Sequence, residues 1–124
     1  MIKNFNFTNI FIDCDKPEEL CEFYHQISGW EKSEQYGLPL LTTSLGMKLY
    51  FQQPDVKHLP PVWPDTEKQQ QKQVHFDFSV ENLQEAAETA LSFGATIAPK
   101  QYGGDLWITL FDPAGHPFDL YEEH

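Results

Sequence analysis

Two stretches of this chain, 66 residues apart, read as the same event: an alternating strand that runs straight into a helix start. Phe5 to Cys14 alternates Asn9, Phe11 and Asp13 on one side with Thr8, Ile10, Ile12 and Cys14 on the other. Val74 to Val80 alternates likewise, with His75 and Asp77 on one face and Phe76 and Phe78 on the other. After the first stretch, Asp15 reads as an N-cap, Pro17 suits the first turn, and Glu18 follows three residues after the cap. Leu20, Phe23, Tyr24 and Ile27 then recur at helical spacing until Gly29. After the second stretch, Leu83, Ala86, Ala87, Ala90 and Leu91 form one helix face, ended by Gly94.

Each helix is followed by three strand-like segments. In the first half these are Trp30 to Tyr36, Leu40 to Ser44 and Met47 to Gln53, with turns at Gly37-Leu38-Pro39 and Leu45-Gly46. In the second half they are Thr96 to Lys100, Asp105 to Phe111 and Pro117 to Glu122, with turns at Tyr102-Gly103-Gly104 and Asp112-Pro113-Ala114-Gly115. The halves align as a repeat: Asn9 falls under His75, Asp15 under Glu81, Leu20 under Ala86, and Gly29 under Gly94 after one inserted residue. Gly46 to Phe51 falls under Gly115 to Leu120, which places Tyr50 at the position of Asp119. The expected fold is therefore α+β, with two βαβββ modules at about residues 5–53 and 74–124 in one domain. Between them, 54–73 carries Pro54, Pro60, Pro61 and Pro64 and a Gln/Lys run, the composition of a surface connection. Trp63 in this segment either pins it to the body or lines a pocket.

A length of 124 residues suits one domain with a sizeable core. No apolar run is long enough for a membrane span, and Met1-Ile2-Lys3-Asn4 does not read as a signal peptide. Cys14 and Cys21 have no metal or redox spacing, Cys21 reads as a core residue, and a cytoplasmic setting is expected. Nineteen acids against eight lysines give a net charge of −11, and there is no arginine. Nucleic acid is thus a poor partner, and the bidentate fork that favours phosphates and carboxylates is missing. A neutral or cationic small molecule suits the chain better. His25, His58 and His124 read as solvent-exposed, and His116 as either loop surface or a residue at a cavity mouth.

The order of these motifs resembles the vicinal oxygen chelate superfamily, which includes glyoxalase I, bleomycin- and fosfomycin-resistance proteins and extradiol dioxygenases. The residues that carry the resemblance are Phe23-Tyr24 before Gly29-Trp30, Val74 to Asp77 before the second helix, and Asp112 to Leu120, similar to the closing D-P-x-G-x-x-h-E/D-h pattern with h apolar. Leu20 to Tyr24 looks most like the glyoxalase-like domain branch. The resemblance spans essentially the whole chain and implies sheets that curl around one cavity, and a homodimer.

In metal-using members of that superfamily, the first and last strands of each module supply the ligands, which by position here are Asn9, Tyr50, His75 and Asp119. His75 and Asp119 are good ligand types for a divalent ion, whereas Asn9 is a weak donor and the Tyr50 phenol is protonated at neutral pH. Asp13, Asp77, Gln52 and His116 are substitutes. Two functions follow. One is a metal-dependent lyase or dioxygenase-type enzyme of unassigned substrate, with His75, Asp77 and Tyr50 catalytic and His75 and Asp119 on the metal; a metal-free variant uses His75 and Asp77 as an acid/base pair. The other is a non-catalytic, drug-sequestering protein of the bleomycin-resistance type. Its ligand would be flat or cationic and would meet Asn9, Phe11, Asp13, Gln52, Trp107 and Tyr121. The missing arginines argue against glutathione adducts and phosphonates in either case. A buried His75, satisfied by Asp77 or Asp119 with no further role, is the third reading.

Overall fold

The computed structural model describes residues 1–122; the terminal His124 lies outside them. The first half forms β1 (Asn9–Asp13), α1 (Pro17–Ser28), β2 (Glu31–Gln35), β3 (Leu38–Thr42) and β4 (Lys48–Gln52). The second forms β5 (Phe76–Val80), α2 (Leu83–Ser92), β6 (Thr96–Ile97), β7 (Trp107–Phe111) and β8 (Pro117–Glu122). The strands make two four-stranded mixed sheets, neither of them closed, in the orders β1-β4-β3-β2 and β5-β8-β7-β6. In each, the first strand pairs in parallel with the last, and the remaining pairs are antiparallel.

The repeat holds at the level of register. Phe11 pairs with Tyr50 and Asp77 with Asp119, which are the 66-residue and 69-residue offsets of the sequence alignment (77 − 11 and 119 − 50). The chain divides into two compact units, Met1–His58 and the remainder from Leu59, so the proline-rich connection is shared between them. Its first part is tied to the first unit, where the His58 backbone N–H donates to Asp15 at 3.2 Å. Its second part is pinned to the second unit by Trp63, whose indole N–H donates to the Lys100 carbonyl at 2.8 Å. The Trp63 ring also meets Tyr102 and Phe111 edge-on. At Gly115, φ is +89° and an added Cβ would stand 2.6 Å from Pro60 Cβ, so glycine is what admits the connection there.

Within each unit one sheet face carries the helix. Tyr24 of α1 stacks on Phe51 of β4, and Leu41, Leu49 and Phe51 are buried with Leu20, Cys21 and Phe23. Burying each such side chain contributes roughly 1.5–3 kcal/mol. In the second unit Phe78 meets Phe118, and Leu110 and Leu120 are buried together with Ala87 and Ala90 of α2. Glu122, of the same parity as Phe118 and Leu120, accepts from the Leu83 N–H at the start of α2 at 3.3 Å. Every odd-numbered residue of β5, β7 and β8 therefore faces away from α2.

Several local expectations are corrected. Lys16, not Asp15, is the cap position of α1 and makes no side-chain cap bond; the Asp15 carboxylate instead takes the His58 N–H. Asn82 caps α2 through the Glu85 N–H at 2.9 Å. The turn is only Tyr36-Gly37, so Pro39 lies inside β3, where it is tolerated because it sits before the residues that pair with β4, Leu40 to Thr42, and no ladder bond there needs its N–H. Thr96 to Lys100 shrinks to the two residues of β6. His58 is buried and His25 half-buried, with a ring nitrogen of His25 2.8 Å from the Trp30 carbonyl. Cys14 and Cys21 are buried and not joined in a disulfide, the Cys14 thiol donates to the Gln52 carbonyl at 3.7 Å, and burial pushes the Cys21 thiol up to about 11. No helix of the described residues is long and apolar enough to cross a membrane.

Candidate functional site

The helix-free face of the second sheet gathers the polar residues. His75 lies one residue before β5. Its Nε2 is 3.3 Å from Asp77 Oδ1 and 3.4 Å from Asp119 Oδ2. Asp77 and Asp119 are direct partners across the parallel ladder, so two carboxylates of one face are forced side by side. One ligand atom from each of the three residues lies within 4.8 Å of the others.

Asp119 is held hardest. Its side chain is 15% exposed, against 41% for His75 and 58% for Asp77. Its Oδ1 accepts a 2.5 Å hydrogen bond from the hydroxyl of Thr109, its partner across β7–β8. Thr109 is buried and is fixed in turn by Gln101, which accepts the Thr109 N–H at 2.9 Å and donates to the Thr109 and Ala98 carbonyls at 2.8 Å. Burial raises the Asp119 pKa above the ordinary carboxylate value, and the neighbouring Asp77 carboxyl adds to the rise; the Thr109 hydroxyl and the His75 charge oppose it. Three lone-pair donors converge here, and either a proton on His75 or a cation reconciles them. One imidazole and two carboxylates are a donor set that borderline divalent ions accept.

The equivalent face of the first sheet is built differently. Asn9 stands where His75 does, exposed, and the Asp77–Asp119 pair is replaced by Phe11 and Tyr50. Their rings stack at 4.6 Å with a 6° angle between planes. Tyr50 is buried, and its hydroxyl donates to Gln35 at 2.9 Å. Gln52 donates to Asp13 at 2.9 Å on the same face. Trp107 and Tyr121 belong with the second sheet, opposite each other on β7 and β8 and on the face of Asp77 and Asp119. The structure thus unites His75, Asp77 and Asp119 in one cluster and places Asn9, Phe11, Asp13, Tyr50 and Gln52 on the other unit's sheet. His116, in the turn before β8, is half-buried with its N–H on Asp112 Oδ1 at 3.0 Å. Thr109 and Gln101 went unread in the sequence; the parity of Thr109 with Trp107, opposite Asp119, is the signal that points to it.

This architecture, two βαβββ units with matching register, is the vicinal oxygen chelate fold. A model of the glyoxalase-like domain family matches residues 9–121. The chain belongs to that family. Among solved structures it is similar to a glyoxalase/bleomycin resistance protein/dioxygenase family enzyme from Burkholderia phytofirmans PsJN, with a TM-score of 0.69 at 14% identity over 95% of this chain and 98% of that one. It is also similar to the oxidase ChaP-H2, with a TM-score of 0.62 at 15% identity over 98% and 95% of the two chains. A third similar structure is a variant of the fosfomycin resistance protein FosX from Listeria monocytogenes, complexed with Mn(II) and a dihydroxypropylphosphonic acid. It has a TM-score of 0.65 at 15% identity over 100% and 93%. At these identities the likeness is one of fold. No curated protein matches the sequence. The family includes enzymes.

Proposed function

We propose that this protein is a metal-dependent enzyme of the glyoxalase/dioxygenase type, holding a divalent ion through His75, Asp77 and Asp119. The observation that carries the reading is the convergence of those three donors within 4.8 Å on one sheet face. The presence of Mn(II) in a FosX of the same fold supports it. When bound, such an ion polarises a substrate oxygen and stabilises charge that develops there. Asp119, anchored by Thr109, is the fixed ligand. Asp77, the most exposed of the three, would give one carboxylate oxygen to the ion and present the other to a substrate proton. Tyr50 suits that role less, since its hydroxyl is engaged by Gln35 between packed rings.

A net charge of −11 without arginine favours a neutral or cationic substrate and disfavours a phosphonate such as the one bound to FosX. By family analogy the protein is a cytoplasmic homodimer acting on a small molecule, and two cysteines outside any disulfide are in keeping with a reducing compartment. The second reading, a drug-sequestering protein without turnover, is supported by the Phe11–Tyr50 stack on the first sheet, with Asn9, Asp13 and Gln52 on the same strands.

The test is the melting temperature with Zn, Ni, Mn, Fe(II) and Co for wild type and His75→Ala. An ion at a hundredfold excess over its dissociation constant stabilises the fold by about 2.7 kcal/mol. A shift that disappears in His75→Ala supports the enzyme reading. No shift with any ion, or an equal shift in the variant, overturns it and leaves the binder.

A further inference from the structure

Of the three donors at the site, His75 alone lies outside the strand pairing. Asp77 and Asp119 face each other across the ladder, whereas the β5–β8 register begins at Phe76, one residue after His75. The two residues before it, Gln73 and Val74, are exposed. Where the imidazole stands is therefore set by the chain that leads into it, and that chain leaves a closed loop at Lys72. The Val62 N–H donates to the Gln70 carbonyl at 2.8 Å, and the Gln71 side-chain amide donates to the Thr66 carbonyl at 2.9 Å, so the two limbs of the loop are joined. The outgoing limb is anchored by Trp63, whose ring meets Phe111. Phe111 shares the parity of Thr109 on β7, so the loop rests on the same sheet face as Asp77 and Asp119. Lys72 ties the return limb to that anchor. Its Nζ lies 5.0 Å from the centroid of the Trp63 ring and donates to both carboxylate oxygens of Asp65 at 3.0 Å. A lysine normally keeps its charge in water, yet the Lys72 side chain is only 20% exposed, against 51% for Asp65.

We propose that Lys72 is a positioning residue for His75: it fixes the return limb of the loop on Trp63 and so holds the imidazole beside the two carboxylates. Lys72 and His75 are three residues apart, about 10 Å of extended chain, so a tie at one restricts where the other can reach. The purpose of the tie rests on the metal reading, since a ligand ordered before the ion arrives binds it more tightly. A half-exposed Asp65–Lys72 pair alone would hold weakly, and the face of Trp63 adds a second attraction to the same ammonium. Lys72 is also a positive charge in the unit that binds the cation. Were its charge the only influence, its removal would tighten the binding of a divalent ion. As a tether, its removal loosens that binding. The two roles predict opposite signs.

The experiment compares the whole protein with Lys72→Met, which keeps the stem and loses the charge, and with Lys72→Arg, which still stacks on Trp63 and pairs with Asp65. In EDTA, nuclear Overhauser effects from the His75 ring protons to the Asp119 β-protons report the placement of the imidazole without any metal. They should be present in wild type and Lys72→Arg and absent in Lys72→Met. Titration with Mn(II) should then find an affinity about tenfold weaker in Lys72→Met and restored in Lys72→Arg. Undiminished Overhauser effects in Lys72→Met, or an Mn(II) affinity that is unchanged or tighter there, would overturn the inference. If Lys72→Met fails to fold, Asp65→Asn decides, since it releases the tie from its other end: weaker effects support the tether, and undiminished ones overturn it. A wild type that binds no Mn(II), with the effects still lost in Lys72→Met, would overturn the metal centre and leave the tether standing.

Discussion

Replacing Thr109 by valine keeps the shape of a fully buried side chain and deletes one hydroxyl, the one that donates to Asp119 Oδ1. Gln101 still clamps the backbone of residue 109, because it bonds main-chain atoms only. The loss is therefore confined to one hydrogen bond to a carboxylate, worth about 1.5–3 kcal/mol. Asp119 retains His75 at 3.4 Å and 15% exposure, so the lower end, about 1.5 kcal/mol, applies. Unfolding entropy of about 2.1 cal/mol/K per residue gives roughly 0.26 kcal/mol/K for a chain of this length, hence a fall of about 6 °C in melting temperature at pH 7. The fall should depend on pH. The folded Asp119 pKa is already raised, so its contribution to stability is fully present below the unfolded value near 3.9 and is lost as pH rises through the folded value. Removing the hydroxyl, which opposes the rise, widens that loss. Calorimetry should find a large deficit at pH 7 and a small one at pH 4. Equal deficits at both pH values, or none at pH 7, would refute the reasoning.

Asp77→Asn removes the carboxyl that helps to raise Asp119. In EDTA at pH 8 it should melt no lower than wild type, while metal-induced stabilisation shrinks; a lower melting temperature without metal contradicts this. Wild-type affinity for Mn(II) should weaken as pH falls through the raised Asp119 pKa, since proton and cation compete for one carboxylate, and calorimetric titration at several pH values reads it directly. Gly115→Ala places a methyl 2.6 Å from Pro60 Cβ at a φ of +89°. It should cost about 1–3 kcal/mol, measurable as a lower urea midpoint with unchanged slope.

The repeat was legible because strand and helix periodicities and the placement of Gly29, Gly94, Gly46 and Gly115 are local signals. The alignment carries only the equivalence of the two registers: with Asn9 on His75 and Tyr50 on Asp119, a Phe11–Tyr50 pair in one sheet corresponds to an Asp77–Asp119 pair in the other, and the pairs themselves are seen in the structure. Aligned positions did not reveal their chemistry. The same place in the two sheets holds an aromatic stack in one and a carboxylate pair in the other, and what each pair does depends on neighbours from β2 and β7. Thr109 and Gln101 escaped notice because parity places Thr109 on the face of Asp119 but does not reveal the hydrogen bonds that give the two residues their role. The N-cap at Asp15 failed for a similar reason: its carboxylate has a distant partner, the N–H of His58, 43 residues on. The β2–β3 turn, read at Gly37 to Pro39, lies one residue earlier, at Tyr36 and Gly37.

In the proposed metal centre one unit alone, through His75, Asp77 and Asp119, holds a divalent ion. The most direct measurement is the Mn(II) dissociation constant from the loss of the free-ion electron paramagnetic resonance signal, for wild type, Asp77→Asn, Asp119→Asn and Asn9→Ala. Wild type should bind one ion, each aspartate variant should lose about tenfold or more in affinity, and Asn9→Ala should bind as wild type does. Wild-type affinity that survives both aspartate substitutions, or falls with Asn9→Ala instead, would contradict it.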